Sequence, residues 1–290
     1  MSRIVLVTGA NGQLGIEIKR ICNNFPEFEF LFTDIEDLDI TSTREVTDYV
    51  MEKQPAAIVN CAAYTAVDKA ETDTEKAEKI NKIGPSNLAM AALNSKAFLL
   101  HVSTDFVFDG KKNIPYTESD IPKPIGIYGK TKLLGEELIK ISQADYAIVR
   151  TSWLYSDGNA NFLDTMLHLG KERQSINVVF DQVGTPTAAC DLAEVLLLML
   201  RKKIIENTPI KGIFHYSNEG VCSWYDFAVR IMKLAQLPCK VLPIHTSEYP
   251  TMAQRPTFSV LDKSKIKSTL NIQIPHWEES LIKVINKKMQ

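Results

Sequence analysis

The sequence predicts a doubly wound α/β fold, a parallel sheet with helices on both faces, followed by a smaller and more loop-rich lobe. Three observations carry this reading. Apolar runs of strand length alternate with longer helical patterns through the first 150 residues. A glycine-rich turn, Gly9-Ala10-Asn11-Gly12-Gln13-Leu14-Gly15, follows the very first apolar run and opens a helix. Beyond Arg150 the order loosens, with proline and glycine punctuation at Gly158, Gly184-Thr185-Pro186, Pro209, Gly212 and Pro238.

Taken in order, the strands are expected at Ile4–Thr8, Glu29–Thr33, Ala57–Cys61, Phe98–Ser103 and Ala147–Thr151. A helix over Gly12–Asn23 follows the first strand. Ser42-Thr43-Arg44-Glu45 reads as a capping box for the helix after the second. Residues 1–150 form the dinucleotide-binding domain on this reading. Residues 151–290 form the second lobe, with the apolar helix Asp191–Leu200 and the short strand Gly212–Tyr216 returning to the first domain, within segments near 188–201 and 212–217. The division is therefore discontinuous.

Composition bounds the possible functions. A chain of 290 residues, 45% hydrophobic and 23% charged, can build a large core without staples. Its five cysteines are scattered without metal-ligand spacing and are expected to be reduced. The apolar run at the N-terminus is too short for a secretion signal, and no apolar stretch approaches the roughly 20 residues needed to cross a bilayer. A cytoplasmic protein without membrane partners is expected. A formal charge of -2 argues against broad nucleic-acid binding, so any phosphate must be met locally.

The glycine turn lets backbone N–H groups approach a pyrophosphate at a helix N-terminus, although its G-x-x-G-x-x-G spacing also serves ordinary strand-to-helix turns. Asp34 ends the second strand, where a carboxylate can accept hydrogen bonds from a ribose and repel a 2′-phosphate. It could equally be a solvated residue of the acidic run Asp34–Asp39, so NADH and NADPH both stay open. The fourth strand ends in Ser103-Thr104-Asp105, at the sheet edge where doubly wound folds bind ligands. Downstream, Tyr128 and Lys132 lie four apart and share one helix face. Such a pair is commonplace alone. Following the glycine turn and the strand-end hydroxyls in that order, it points to carbonyl reduction by hydride. Tyr128 would protonate the alkoxide, Lys132 would lower the tyrosine pKa from about 10 and hold cofactor hydroxyls, and Thr104 would polarise the carbonyl.

Longer segments go further: Asn60-Cys61-Ala62-Ala63-Tyr64-Thr65-Ala66-Val67-Asp68-Lys69-Ala70-Glu71, Ser103-Thr104-Asp105-Phe106-Val107-Phe108-Asp109-Gly110, Tyr128-Gly129-Lys130-Thr131-Lys132-Leu133-Leu134-Gly135-Glu136, Arg150-Thr151-Ser152-Trp153-Leu154-Tyr155, Asp181-Gln182-Val183-Gly184-Thr185-Pro186-Thr187 and Arg255-Pro256. Through these the chain resembles the dTDP-4-dehydrorhamnose reductase family of extended short-chain dehydrogenases, over nearly its whole length. The resemblance implies a Rossmann-type fold with a smaller C-terminal substrate-binding lobe. It implies an NADH- or NADPH-dependent oxidoreductase of polysaccharide biosynthesis that reduces dTDP-4-dehydro-L-rhamnose to dTDP-L-rhamnose. Cofactor contacts are implied for Gly9, Asn11, Gly12, Gln13 and Leu14 at the pyrophosphate, Asp39 and Ile40 at the adenine, and Ala62, Ala63, Tyr64, Tyr128 and Lys132 beyond. Substrate contacts are implied for Thr104, Asp105 and Trp153, for Arg255 at the diphosphate of the dTDP-sugar, and for Asn161 and Phe162 at the pocket edge.

Some members hold a divalent cation such as Mg2+ through glutamates at a dimer interface. Glu17 matches one of those ligands, but Cys190 stands near where another acidic one is expected, so no metal ligand set is assigned, and monomer and homodimer both remain open. Two other readings stay compatible: a nucleotide-sugar epimerase or dehydratase of the same fold, and a non-catalytic cofactor-binding regulatory subunit. A dehydratase would carry Asp-Glu beside the threonine. Here Thr104-Asp105-Phe106 offers one carboxylate.

Overall fold

A computed structural model describes residues 3–158 and 160–289. Its centre is a six-stranded sheet of β1 (Arg3–Thr8), β2 (Phe28–Thr33), β3 (Ala57–Asn60), β4 (Phe98–Thr104), β5 (Asp145–Thr151) and β6 (Gly212–His215). The order is β6-β5-β4-β3-β1-β2, and every pairing is parallel. From β1 the chain moves outward to β2, then returns to lay β3 on the other side of β1. The carboxyl ends of β1 and β3 therefore flank a switch point, where connections diverge and a crevice opens.

Side-chain alternation divides these strands cleanly. Val5, Val7, Val59, Leu100 and Val149 face one layer, covered by helices Gln13–Ile21 and Ala189–Leu200. Leu6, Ile58, Leu99 and Ile148 face the other, beneath Thr43–Lys53, Gly84–Ser95 and Ile127–Ile141. Both layers being covered explains why the strands read as continuous apolar runs. The helix Ala189–Leu200 and strand β6 come late in the chain and still belong to this sheet's layers. A separate cluster built on Tyr155, Leu163, Phe227, Ile231 and Leu281 forms the core of the other lobe.

Element boundaries depart from expectation where capping and pairing decide them. The first helix spans Gln13–Ile21 and tightens into a 3₁₀ turn at Cys22–Asn24 rather than running on. Ser42 caps Thr43–Lys53 by accepting from the Glu45 N–H at 3.3 Å, but the Glu45 carboxylate accepts from the Asp39 N–H instead of returning to Ser42. The expected capping box thus closes on one side only. All five cysteines are free, with Cys222 and Cys239 buried.

One ion pair stands out by its setting. Arg150 on β5 and Glu136 on Ile127–Ile141 both have fully buried side chains. Arg150 donates from Nε at 2.9 Å and from Nη2 at 2.6 Å to the two carboxylate oxygens, and the Ser103 hydroxyl donates to Oε1 at 2.6 Å. Removing one partner of such a pair strands the other charge in a low-dielectric interior, at a cost of about 3–5 kcal/mol. Glu136→Ala is therefore expected to lower the free energy of unfolding in denaturant by about that amount. A loss below about 1 kcal/mol, the scale of a surface pair, would show that Arg150 finds another partner.

Candidate active site

The crevice at the carboxyl edge opens into a cleft of about 940 Å³, within the upper range of small-molecule sites. At one end lies the glycine turn. Gly9 sits at φ +69°, and a Cβ there would stand 2.6 Å from the Ala62 backbone. The turn can close on the strand beside it only because that atom is missing. Gly12 caps the helix Gln13–Ile21 without a side-chain hydrogen bond, so the first-turn N–H groups point out of the helix beside Gly9, Gly12, Gln13 and Leu14, all of which line the cleft. That arrangement fits the pyrophosphate of a dinucleotide.

Asp34, Asp39 and Ile40 line the same end. Asp34 already accepts the N–H of Asn11 at 2.8 Å and of Ile35 at 2.9 Å, so its carboxylate pins the glycine turn from the neighbouring strand. Asn11 itself meets the site through that backbone bond rather than as a lining residue. Asp39 accepts the Thr41 N–H. Ala62 and Ala63 line the cleft, whereas Tyr64 does not. Its backbone is bound to the Asn81 side chain and its hydroxyl donates to Asp73 at 3.3 Å.

At mid-cleft Thr104, Tyr128 and Lys132 meet. The helix carrying Tyr128 approaches β4 closely because residue 129 is glycine: a Cβ there would lie 2.1 Å from the Phe106 carbonyl oxygen. Glu71 accepts the Ile127 N–H at 2.8 Å and so caps the same helix from the segment after β3. Thr104 donates to Asp105 Oδ1 at 3.0 Å, accepts the Phe106 N–H, and hydrogen-bonds the Tyr128 phenol. Asp105 is buried, and burial pushes its carboxyl up to about 6 against the Ser259 and Thr104 hydrogen bonds. Its Oδ2 has no hydrogen-bond partner among the described residues.

The expectation that Lys132 lowers the Tyr128 pKa is not met. Burial pushes the phenol up to about 12; the Thr104 hydrogen bond lowers it and the charge of Asp105 raises it further. The reason lies in where Lys132 points. Its Nζ donates to the Val102 carbonyl at 2.7 Å, and burial pulls its own pKa down to about 8 despite the charge of Glu136.

The far end is aromatic. Trp153, at φ +47°, stacks on Trp224 with centroids 3.6 Å apart and planes within 8°. Phe162 leans on Trp224 at 4.5 Å, and Asn161 caps the helix Phe162–Glu172. All four line the cleft. Trp224 carried no site signal in the sequence: the Ser223-Trp224-Tyr225-Asp226 capping box around it marks a helix start and says nothing of a cleft. Arg255 also lines this end, its guanidinium held by Asp68 at 2.7 and 3.2 Å. Thr65, Val67, Lys76 and Lys79 border the cleft as well.

Glu17, the residue matched to a metal ligand, is buried and pairs with Arg20. Among the described residues no group of three or more His, Cys, Asp or Glu is arranged to hold a metal ion. No described helix is long and apolar enough to cross a membrane.

Comparison with known proteins bears on the same site. The model of a family described as the RmlD substrate binding domain matches residues 2–290. The chain is 41% identical to a dTDP-4-dehydrorhamnose reductase of Aggregatibacter actinomycetemcomitans, with 97% of each chain covered. It is 42% identical to the spore coat polysaccharide biosynthesis protein SpsK of Bacillus subtilis, covering 96% of this chain and 95% of that one. Among solved structures, a dTDP-4-dehydrorhamnose reductase of Bacillus anthracis in complex with NADP superposes with a TM-score of 0.94 at 40% identity, covering 99% of this chain and all of that one.

The stacked indoles make a direct test of the aromatic end. Trp224→Leu is expected to abolish the near-ultraviolet circular dichroism of the coupled pair and to cost about 0.5–1.5 kcal/mol beyond lost area. Spectra that do not change would mean that the two rings are apart in solution.

Proposed function

The chain belongs to the dTDP-4-dehydrorhamnose reductase family, and from that premise we propose that it reduces the C4 keto group of dTDP-4-dehydro-L-rhamnose with NADPH or NADH, giving dTDP-L-rhamnose. The observation that carries this reading is the meeting of Thr104, Tyr128 and Lys132 at the middle of one cleft that has the glycine turn at one end and the Trp153–Trp224 wall at the other.

A reduced nicotinamide dinucleotide bound along the glycine turn would supply the hydride. Gly9, Gly12, Gln13 and Leu14 take its pyrophosphate, Asp34 its adenosine ribose, and Asp39 and Ile40 its adenine. The cofactor in the Bacillus anthracis complex supports use of the phosphorylated form, and Asp34 is the residue set against it.

Thr104 and Tyr128 hold the substrate carbonyl oxygen between two hydroxyls. The raised phenol matters here. A tyrosine at about 12 keeps its proton throughout the working range and releases it only to a strong base, the alkoxide formed as the carbonyl is reduced. Premature loss of the acid is thereby prevented. Asp105 accepts the single Thr104 hydroxyl proton before substrate binds, and that proton turns to the carbonyl oxygen when the substrate arrives. Trp153 forms a flat wall against the deoxysugar, backed by Trp224. Arg255, held in one direction by Asp68, meets the diphosphate with its remaining donors.

Two outcomes follow for the purified chain. Tyr128→Phe should lower kcat about 10²–10⁴-fold with dTDP-4-dehydro-L-rhamnose and leave NADPH binding intact, since only the proton donor is removed; retention of more than about a tenth of the rate would dismiss Tyr128 as the acid. Arg255→Ala should raise KM for the sugar nucleotide roughly tenfold to hundredfold, the worth of a charge-assisted contact at about 1.5–3 kcal/mol, with the cofactor constant unmoved. A shift in the cofactor constant alone would place Arg255 in the other half of the cleft.

A further inference from the structure

Thr8, Asn60 and His101 are register neighbours across β1, β3 and β4, and their side chains form a polar row beneath the helix that carries Tyr128 and Lys132. All three are buried, with His101 and Asn60 at 0% exposure. The hydrogens in this row have a single consistent assignment. The Ala62 N–H can only donate, and it meets Asn60 Oδ1 at 3.0 Å, beside the Thr8 hydroxyl at 2.9 Å. The Asn60 amide nitrogen therefore faces His101 Nδ1, at 3.0 Å, and it too can only donate. His101 Nδ1 must then be the bare acceptor. Burial holds the ring neutral, so its proton sits on Nε2, which lies 3.4 Å from Lys132 Nζ. An N–H aimed at an ammonium is repulsive. Aimed at an amine lone pair, it is a hydrogen bond.

We propose that His101 is a positioning residue for the reduction, its tautomer fixed by Asn60 so that the Nε2–H selects the neutral amine of Lys132 over the ammonium. The proposal rests on the reductase reading above, in which Lys132 serves Tyr128. After the phenol has given its proton to the alkoxide, water carries a proton from the Lys132 ammonium, one helical turn on, to the phenolate, and the amine left behind accepts the His101 Nε2–H. Water then returns one proton to the amine, completing the balance. The other groups around Lys132 do not supply this bias. Glu136, one turn on along the same helix, favours the ammonium while bound to Arg150 and Ser103, the Val102 carbonyl accepts from either form, and burial keeps the Cys61 thiol beyond β3 neutral. Tyr128, one turn back, is a neutral phenol. Among the described residues around Lys132, His101 alone presents a fixed N–H to the amine.

The test uses the full chain labelled with 15N-histidine and 13C-lysine. In the wild type, His101 should show a protonated Nε2 and a bare Nδ1; a protonated Nδ1 would overturn the proposal at once. In His101→Phe, which keeps a ring and removes the N–H, the Lys132 Cε titration should rise by about one pH unit or more, a tenfold gain in proton affinity. Asn60→Asp provides the same readout without loss of volume, because the new carboxylate oxygen demands an Nδ1–H and turns the Nε2 lone pair toward Lys132. The His101→Phe, Asn60→Asp double variant separates that flip from the added charge. If the Lys132 titration stays within about 0.3 unit of wild type in both single variants, His101 is only a packed core residue. Should the protein fail to oxidise NADPH with the sugar nucleotide, the reductase reading falls while the titration still decides the role of His101.

Discussion

The buried pair of Arg150 and Glu136 sets the position of the helix that carries Tyr128 and Lys132 into the cleft. Two full charges with no exposed side-chain surface hold together only if their geometry is kept, and here Ser103 and the Nε–Nη2 edge of the guanidinium enforce it. Glu136 is the third member of a stripe, Tyr128, Lys132, Glu136, spaced four residues apart on one helix face. Anchoring the last member to β5 and β4 fixes the rotation and height of the whole helix against the sheet. Lys132 then reaches the Val102 carbonyl, and Tyr128 arrives beside Thr104. Gly129 permits the close approach that this seating requires.

The segment after β3 organises the rest. It leaves the sheet at the switch point, so its first residues, Cys61 to Ala63, necessarily border the crevice. Asp68 then fixes Arg255 and the backbone of Ala253 from far along the chain, with its carboxyl held below the usual range chiefly by the Arg255 hydrogen bonds. Glu71 caps the Tyr128 helix. One short stretch thereby ties the cofactor end, the catalytic helix and the second lobe into a single frame, and a residue such as Arg255, remote in sequence, acquires a defined direction.

The sheet was legible because each strand is buried on both faces, which leaves an unbroken apolar run, and because the glycine turn marks where the first one ends. Tyr128 and Lys132 were legible because helical spacing alone brings them together. What could not be read were relations across the chain. Nothing near Trp224 indicates that it stacks on Trp153, and nothing near Arg150 names Glu136 as its partner. The Ser42 capping box fails on one side because Asp39 competes for Glu45 from outside the motif. Tyr64 was grouped with Ala62 and Ala63 by sequence, yet its backbone is held by Asn81, 17 residues on, and it does not line the cleft. The proton affinity of Tyr128 was misjudged for a related reason: spacing predicts proximity, but burial, a property of the whole fold, decides the sign of the shift.

In the proposed reduction, that sign changes how Tyr128 and Lys132 divide their work. A tyrosine lowered toward neutrality would be an easily regenerated acid and a weak guard of its proton. The tyrosine here, at about 12, guards its proton well and leaves a strongly basic phenolate once the proton is spent. Such a phenolate needs a donor close by, and a lysine brought down to about 8 is one whose proton is loosely held. Burial thus moves the two groups in opposite directions, raising the Tyr128 phenol and weakening the Lys132 cation. In the proposed reduction the phenolate is then the stronger base of the two and regains its proton, and the helix that carries both keeps them one turn apart.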